Sequence, residues 1–508
     1  MEKIQNRPFE EFIADFKEKL KYLFYVRSDI DKLSTKRGLP PFVLREIMSG
    51  NPLSAFIPSR YGGRGGSVRE GLELLSAAGY ESLPLSLGFG INWALFLQPV
   101  AKYGEEKIKP QVFDGFLRDR KMGGLMITEP DFGSDALNMK TSYTDDGSFF
   151  RLKGKKHWAG LTGWADYWLL TARREKEDSN LARDIDFFIC DVSEPGQNIK
   201  VEELYENLGV YMLPYGRNSI DVKIPRIQKL KPESSGIKMM LDLLHRSRMQ
   251  FPGMGMGFLK RMLDEAVKHT LDRSVGGRSL YSYDQVQMRL AKLQSAYTVC
   301  SAMCLNSAGK AGIENNLSGI GIEANSVKTY VTDLMQESSQ SLLQLTGAKG
   351  YRLDHIAGRS IVDSRPFQIF EGSNDILYIQ IAEGVQKLMS QGDKSGYSGK
   401  NNFLQFLKNY DLTSLAAEHL DKKMLDFTLN EQLPQRRLAA FGMIISRITA
   451  VNMVLKLTGT GFNKSLVESS LSSLRQEIAS LISGYHSENN GVYIEGYEEG
   501  SSWSDLAV

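Results

Sequence analysis

Three cysteines in 508 residues, Cys190, Cys300 and Cys304, are too few for a disulfide framework. Only Cys300 and Cys304 lie close, at a helical four-residue spacing and not as a metal knuckle, so a reducing, cytoplasmic setting is expected. Histidine is scarce as well. The six, at positions 157, 245, 269, 355, 419 and 486, include no HxxxH pair, and a metal site is therefore not expected. No GxGxxG follows a strand-like run, and GxxxxGK[ST], GxSxG and CxxC are missing, which removes support for Rossmann, P-loop and α/β-hydrolase chemistry. Charge of either sign is not in excess: 62 Lys and Arg against 60 Asp and Glu give a formal +2 without a long basic run, so nucleic acid is not an expected partner. The opening MEKIQNRPFEEF alternates charges where an export signal carries an apolar core, and the mature chain is expected to begin there. From Ser82 to Ala101 twenty residues carry no charge, yet Pro84, Gly88, Gly90, Asn92, Gln98 and Pro99 interrupt them. A buried helix or pocket wall is expected there, not a transmembrane segment.

What is present is globular usage, 42% apolar and 24% charged, on a length that accommodates two to four packed units. Residues 1–123 show helical periodicity, as in FIADFKEKLKYLF, broken once at Pro58-Ser-Arg-Tyr-Gly-Gly-Arg-Gly-Gly. Over 124–231 the period changes to two in short runs such as SFFRLKG, DYWLLTARR and IDFFICDV, which predicts a small β domain. Helical periodicity returns over 232–389, the polar stretch 390–402 (beginning SQGDKSG) reads as a linker, and 403–486 reads as further helices. In those last helices Leu438, Phe441, Ile445 and Ile448 fall on one face, which predicts a bundle packed on the body. The tail 487–508 has five acidic residues and no basic one and is expected to be mobile. The fold class expected is α+β: a helical domain, a β-barrel-like middle domain, a helical bundle and an extra helical domain.

Two segments are dense in unusual choices: Met126-Ile-Thr-Glu-Pro-Asp-Phe-Gly-Ser-Asp135, followed by Gly-Lys-Lys-His-Trp158, and Pro366-Phe-Gln-Ile-Phe-Glu371-Gly-Ser-Asn-Asp375. With the surroundings of Arg248 and Arg273 and with QLTGAKGY, these occur in the order and spacing of the acyl-CoA dehydrogenase family, which the chain resembles over roughly residues 40–385. The resemblance implies that FAD lies between the middle domain and the following helices and is completed by a second subunit of a homodimer. By position, Ile127 and Thr128 would lie beside the flavin ring, Ser134 near flavin and thioester, and Trp158 against the ring face. Arg273, Gln344 and Gly347 would meet the diphosphate across the subunit contact, with Ser373 and Asp375 also on the cofactor. A flat apolar ring suits an aromatic face, and a diphosphate suits Arg and a closely approaching glycine backbone.

Glu371 aligns with the family's catalytic base. Removing a proton α to a thioester requires a partly desolvated carboxylate, and Phe367, Ile369 and Phe370 would supply apolar surroundings. Some relatives place the base near Arg248 instead; here that place is Ser247, which cannot serve. The implied reaction passes hydride from carbon β to the flavin and yields a trans-2-enoyl thioester, with an electron-transfer flavoprotein as acceptor and fatty acid metabolism as context. Substrate contacts would come from Ser134, Arg248, Gly88 and Gly90, the two glycines opening the acyl pocket to a long chain. The chain departs from the family at Gly276, where an aromatic is usual, at Asp284 in place of an adenine-contacting Gln, at Gly160 with Thr162 as substitute, and at Leu377 in place of Arg. An oxidase using oxygen, and a non-catalytic scaffold, remain the alternatives. The helices of 403–486 resemble in position the extra domain of very-long-chain members, where it takes the place of a second dimer.

Overall fold

The computed structural model describes residues 7–392, 403–425, 433–487 and 491–505. Helix α1 (Phe9–Lys21) buries Phe9, Phe12, Ile13, Phe16 and Leu20, the i, i+3, i+4, i+7, i+11 stripe of a surface helix. After α2 (Val68–Glu81), Ser82 caps α3 (Leu83–Asn92) by accepting the Leu85 N–H at 3.3 Å, and Pro84 sits in the first turn where its missing N–H leaves no bond unmade. Every residue of α3 is buried, which explains a run without a polar face. The helix continues through a π-helical turn at Trp93–Leu97 to Tyr103, and α4 (Lys109–Arg118) closes this part of the chain.

The sheet holds β1 (Gly123–Met126), β2 (Ser142–Asp145), β3 (Phe149–Gly160), β4 (Tyr167–Arg174), β5 (Asp186–Asp191), β6 (Asn198–Leu204) and β7 (Tyr215–Pro225). Its order is β1-β4-β2-β3-β7-β6, with β5 also paired to β4. β1 and β2 run parallel to β4 and the other pairs are antiparallel. Along β7 the buried residues alternate, Gly216, Asn218, Ile220, Val222 and Ile224, so one face packs inward. β3 slips register against β7 between Lys156 and Ala159, a bulge that re-aims Trp158.

The second helical body contains α5 (Gly236–Arg248), α6 (Phe251–Asp272), α7 (Asp284–Lys310), α8 (Gly321–Thr346), α9 (Asn374–Gly392), α10 (Gln435–Leu455) and α11 (Lys464–His486). α9 runs to Gly392, into the first residues of the expected linker; residues 393–402 lie outside the described residues. Leu438, Phe441, Ile445 and Ile448 on α10 are all buried, and α10 packs against α9, α8, α7 and α11. Residues 491–505 of the tail are described and expose Val492, Tyr493, Ile494 and Trp503; residues 488–490 and 506–508 lie outside the described residues. Two helices, Leu83–Tyr103 and Gln435–Leu455, are long and apolar enough to cross a membrane, and 94% and 78% of their apolar windows are covered by the protein itself.

Two helix crossings are backbone to backbone. A Cβ on Gly257 of α6 would stand 1.9 Å from the Ser76 carbonyl oxygen of α2, and one on Gly442 of α10 would stand 1.9 Å from the Tyr378 carbonyl oxygen of α9. Only glycine permits such approach. Gly257→Val should therefore lower unfolding free energy by at least about 2 kcal/mol in urea titration. Gly309→Ala on α7, where a Cβ meets open space, should be neutral or stabilise by about 0.5 kcal/mol.

Candidate active site around Glu371

Glu371 stands in the turn between Gln368 and α9, and it has φ of +56°, a left-handed conformation that a non-glycine residue holds only when its surroundings impose it. Gly372 follows at φ +93°, so two consecutive residues are left-handed. Each of their carbonyls accepts from a buried cation. Arg248 at the end of α5 donates to the Glu371 carbonyl through Nη2 at 2.7 Å and Nε at 3.2 Å, while its Nη1 reaches Asn325 Oδ1 at 2.7 Å. Lys328 on α8 donates through Nζ to the Gly372 carbonyl at 2.8 Å and to Asn374 Oδ1 at 2.9 Å. Burial pulls Lys328 down to about 7, with Arg248 acting in the same direction and Glu371 and Asp333 against it. Burial likewise lowers Arg248 to about 10, opposed by Glu371.

The carboxylate itself is asymmetric. Oε1 accepts from the Ser247 hydroxyl at 2.8 Å, whereas Oε2 is shielded from solvent and has no partner. Desolvation lifts the Glu371 pKa above the ordinary carboxylate value, and the Ser247 hydrogen bond, Arg248 and Lys328 pull the other way. Phe367 and Phe370 pack 4.9 Å apart between ring centres, with Phe251 at 5.9 and 6.0 Å from them. Ile369, expected among the apolar surroundings, faces solvent at 55% exposure, and Phe251 completes the cluster in its place. Leu377 is fully buried beneath the turn, its Cδ2 3.0 Å from where a Cβ on Gly372 would be.

The middle sheet brings a second group of residues. The Thr128 carbonyl accepts the His157 N–H at 2.8 Å, which sets Ile127 and Thr128 beside Trp158. Beneath them Lys156 donates from Nζ to Glu129 Oε1 at 3.0 Å and to the Ile127 carbonyl at 3.2 Å; burial lowers Lys156 to about 8 against the pull of Glu129. Trp158 has φ +53° and is 49% exposed, its indole 4.5 Å from Tyr205 and 6.5 Å from Tyr215 between ring centres. Burial raises the Tyr215 pKa, and the charge of Glu371 acts in the same direction. Ser134 is exposed. Thr162, expected to stand in for the usual hydroxyl near Gly160, is buried below the bulge and donates to the Ala159 carbonyl at 2.7 Å.

Arg273, Gln344 and Gly347 are exposed at the carboxyl ends of α6 and α8, ends that His269 joins through the Leu345 backbone. Gly347 has φ +66° with nothing near the place of a Cβ, so its backbone is open to close approach. Gly276 lies in the turn of a hairpin joining Ser274–Val275 to Arg278–Ser279 at φ +58°, a conformation that explains glycine where an aromatic was expected. Asp284 heads α7, accepting the Gln285 N–H at 2.8 Å. Ser373 and exposed Asp375 flank the start of α9. Of the two pocket glycines, Gly88 lines a small apolar recess with Leu39, Leu85, Leu161, Trp164, Met212 and Leu213, whereas a Cβ on Gly90 would stand 3.4 Å from Met254 Sδ. Arg248, expected on the substrate, donates through Nε and Nη2 to the Glu371 carbonyl. Among the described residues no group of three or more His, Cys, Asp or Glu is placed to hold a metal ion.

The roles of Ser247 and Lys328 were not legible from residue type, since a serine beside an arginine and a lysine inside a helix are commonplace. Ser247→Ala should move the titration of Glu371 further up, because the lost hydrogen bond favours the charged form; NMR of the labelled carboxyl carbon would read it, and an unchanged midpoint would remove Ser247 from the site.

Residues 124–222 match the middle domain of acyl-CoA dehydrogenase and residues 234–386 its C-terminal domain. The chain is 25% identical over 346 residues to the mitochondrial very long-chain specific acyl-CoA dehydrogenase of Mus musculus, covering 66% of this chain and 51% of that one. It is 26% identical over 359 residues to a probable acyl-CoA dehydrogenase of Mycobacterium leprae, covering 70% and 90%. The chain thus spans about half the length of the very-long-chain relatives it matches. Among solved structures, butyryl-CoA dehydrogenase from Megasphaera elsdenii aligns with a TM-score of 0.65 at 21% identity over 74% of this chain and 97% of that one. An acyl-CoA dehydrogenase complexed with FAD from Bacillus anthracis aligns with a TM-score of 0.72 at 17% identity over 94% of this chain and 87% of that one. The second alignment covers more than the residues up to Gly392 can supply, so it reaches the added helices.

Proposed function

The chain belongs to the acyl-CoA dehydrogenase family, and we propose that it is an FAD-dependent oxidoreductase that converts a saturated acyl thioester to the trans-2-enoyl thioester with Glu371 as base. The observation that carries the reading is the carboxylate of Glu371: one oxygen held by Ser247, the other desolvated and unpartnered, at a raised pKa. Such an oxygen is prepared to take a proton from carbon α. The half-exposed Trp158 ledge with Ile127 and Thr128 fits a flat ring, and exposed Arg273 with the open Gly347 backbone fits a diphosphate. Bound FAD would supply the acceptor for the hydride leaving carbon β. The chain's own part is to hold the thioester against Glu371 and to exclude water from Oε2. A backbone N–H of the turn would polarise the thioester oxygen.

Leu271, Val275, Tyr281, Tyr351 and Leu353 are exposed apolar side chains near Arg273 and Gly347 in sequence, which supports a homodimer in which a second copy completes the FAD site. Electron-transfer flavoprotein is the acceptor proposed, and three unpaired cysteines suit a cytoplasmic setting. A long acyl group is proposed from the missing side chain at Gly88, which borders an apolar recess beside Leu213; each further methylene buried there would contribute about 0.8 kcal/mol.

Glu371→Gln should retain fold and FAD and reduce the anaerobic half-reaction at least about a thousandfold. A rate within about tenfold of the parent would overturn the base assignment. In the parent, the rate should fall as pH drops through a pKa above the ordinary carboxylate range, since only the ionised base accepts the proton. An acyl panel carried on coenzyme A and on acyl carrier protein, followed with an oxygen electrode, separates the carriers and distinguishes a dehydrogenase from an oxidase. Gly88→Gln should shift the optimum of kcat/KM toward shorter chains; an unmoved optimum would detach the recess from the acyl group.

A further inference from the structure

Buried charge continues past Lys328 into the added helices. Asp333, five residues further along α8, accepts at Oδ1 from Gln368 Nε2 at 2.7 Å and from Asn374 Nδ2 at 2.8 Å. Gln368 lies three residues before Glu371 and Asn374 three after it, so one carboxylate grips both sides of the left-handed turn. Asn374 in turn presents Oδ1 to Lys328, which holds the Gly372 carbonyl. The other oxygen of Asp333 is bound by Arg447, whose Nη2 stands 3.0 Å from Oδ2 and whose side chain is 2% exposed. Arg447 belongs to α10. Its remaining donors reach Glu477 Oε1 on α11 at 2.8 Å and the hydroxyl of Tyr378, which itself donates to Asp333. The guanidinium lies 4.2 Å from the Tyr330 ring centre, and the Tyr330 hydroxyl donates to Glu477 Oε2 at 2.7 Å.

We infer that Arg447 is a positioning residue for Glu371, acting through Asp333 and Asn374, so that the last pair of helices forms part of the catalytic apparatus. Stability alone gives little reason for such a cluster, because well-packed apolar residues would stabilise those positions about as well. What the ions add is direction. A guanidinium that binds Asp333, Glu477 and Tyr378 at once fixes the one carboxylate rotamer that can receive Gln368 and Asn374 together. At Gly442, five residues before Arg447, the backbones of α10 and α9 touch, leaving the guanidinium little room to shift relative to Tyr378.

The inference rests on Glu371 being the base, and the test separates the two. In the FAD-loaded enzyme, Arg447→Met should slow the anaerobic half-reaction by about tenfold or more, the scale of a small misplacement of a reacting group. Affinity for FAD and for an unreactive acyl thioester should stay within about threefold, so that the loss falls on kcat and not on KM. Asn374→Ala, which leaves the ion pairs of Arg447 intact, should give the same loss, and the two losses should not multiply in the double variant. Arg447→Lys should recover part of the rate. If Arg447→Met does not fold, Asn374→Ala decides by itself: a parental rate overturns the inference. A folded Arg447→Met enzyme at parental rate, or losses that multiply, overturn it as well. Glu371→Gln run alongside tells the failures apart, since activity there overturns both readings, whereas an inactive Glu371→Gln beside fully active Arg447 and Asn374 variants overturns this one alone.

Discussion

Two consecutive left-handed residues, Glu371 and Gly372, are the constraint around which the rest of the chain is arranged. A glutamate in that conformation costs of the order of 1–3 kcal/mol and must be over-determined by its neighbours. The neighbours are Arg248 and Lys328, each spent on one carbonyl of the turn. Placing two cations there costs solvation, visible in the lowered pKa values of both. The compensation is a carboxylate in a low-polarity niche that still has positive charge behind it, so the ionised form stays accessible while the proton affinity rises.

The order of helices, sheet and helices was legible in the sequence because the hydrophobic period changes from 3.6 to 2 and back, and burial follows that period along α1 and β7. Ser82 to Ala101 was legible as a buried helix for the same reason, since a run with no polar face needs protein on all sides. The proposed base, Glu371, was legible only through its motif. Ser247, Lys328, Asp333 and Arg447 were not, because a buried charge and a solvated one are the same letter, and the partners described lie 30 to 124 positions away. Gly253, Gly255 and Gly257, spaced by two on one helix, did carry a signal for close helix approach, and the crossing at Ser76 is its outcome.

Departures from the resemblance find local causes. Gly276 belongs to a hairpin turn that needs positive φ, Asp284 heads a helix, and Leu377 fills the space under the Glu371 turn. Arg248 supports the backbone of the turn through the Glu371 carbonyl.

The contact of Gly442 with Tyr378, and of Arg447 with Asp333, also has a meaning for the order in which the protein is made. The ribosome delivers residues up to Gly392 before it delivers α10, so α8 and α9 emerge with Asp333 and Tyr378 lacking their guanidinium and with a bare backbone stripe where Gly442 will dock. Until α10 arrives, the turn bearing Glu371 has its two carbonyl clamps but not the hub that grips both its ends. The nascent chain can therefore complete most of its fold before the hub beneath the turn closes.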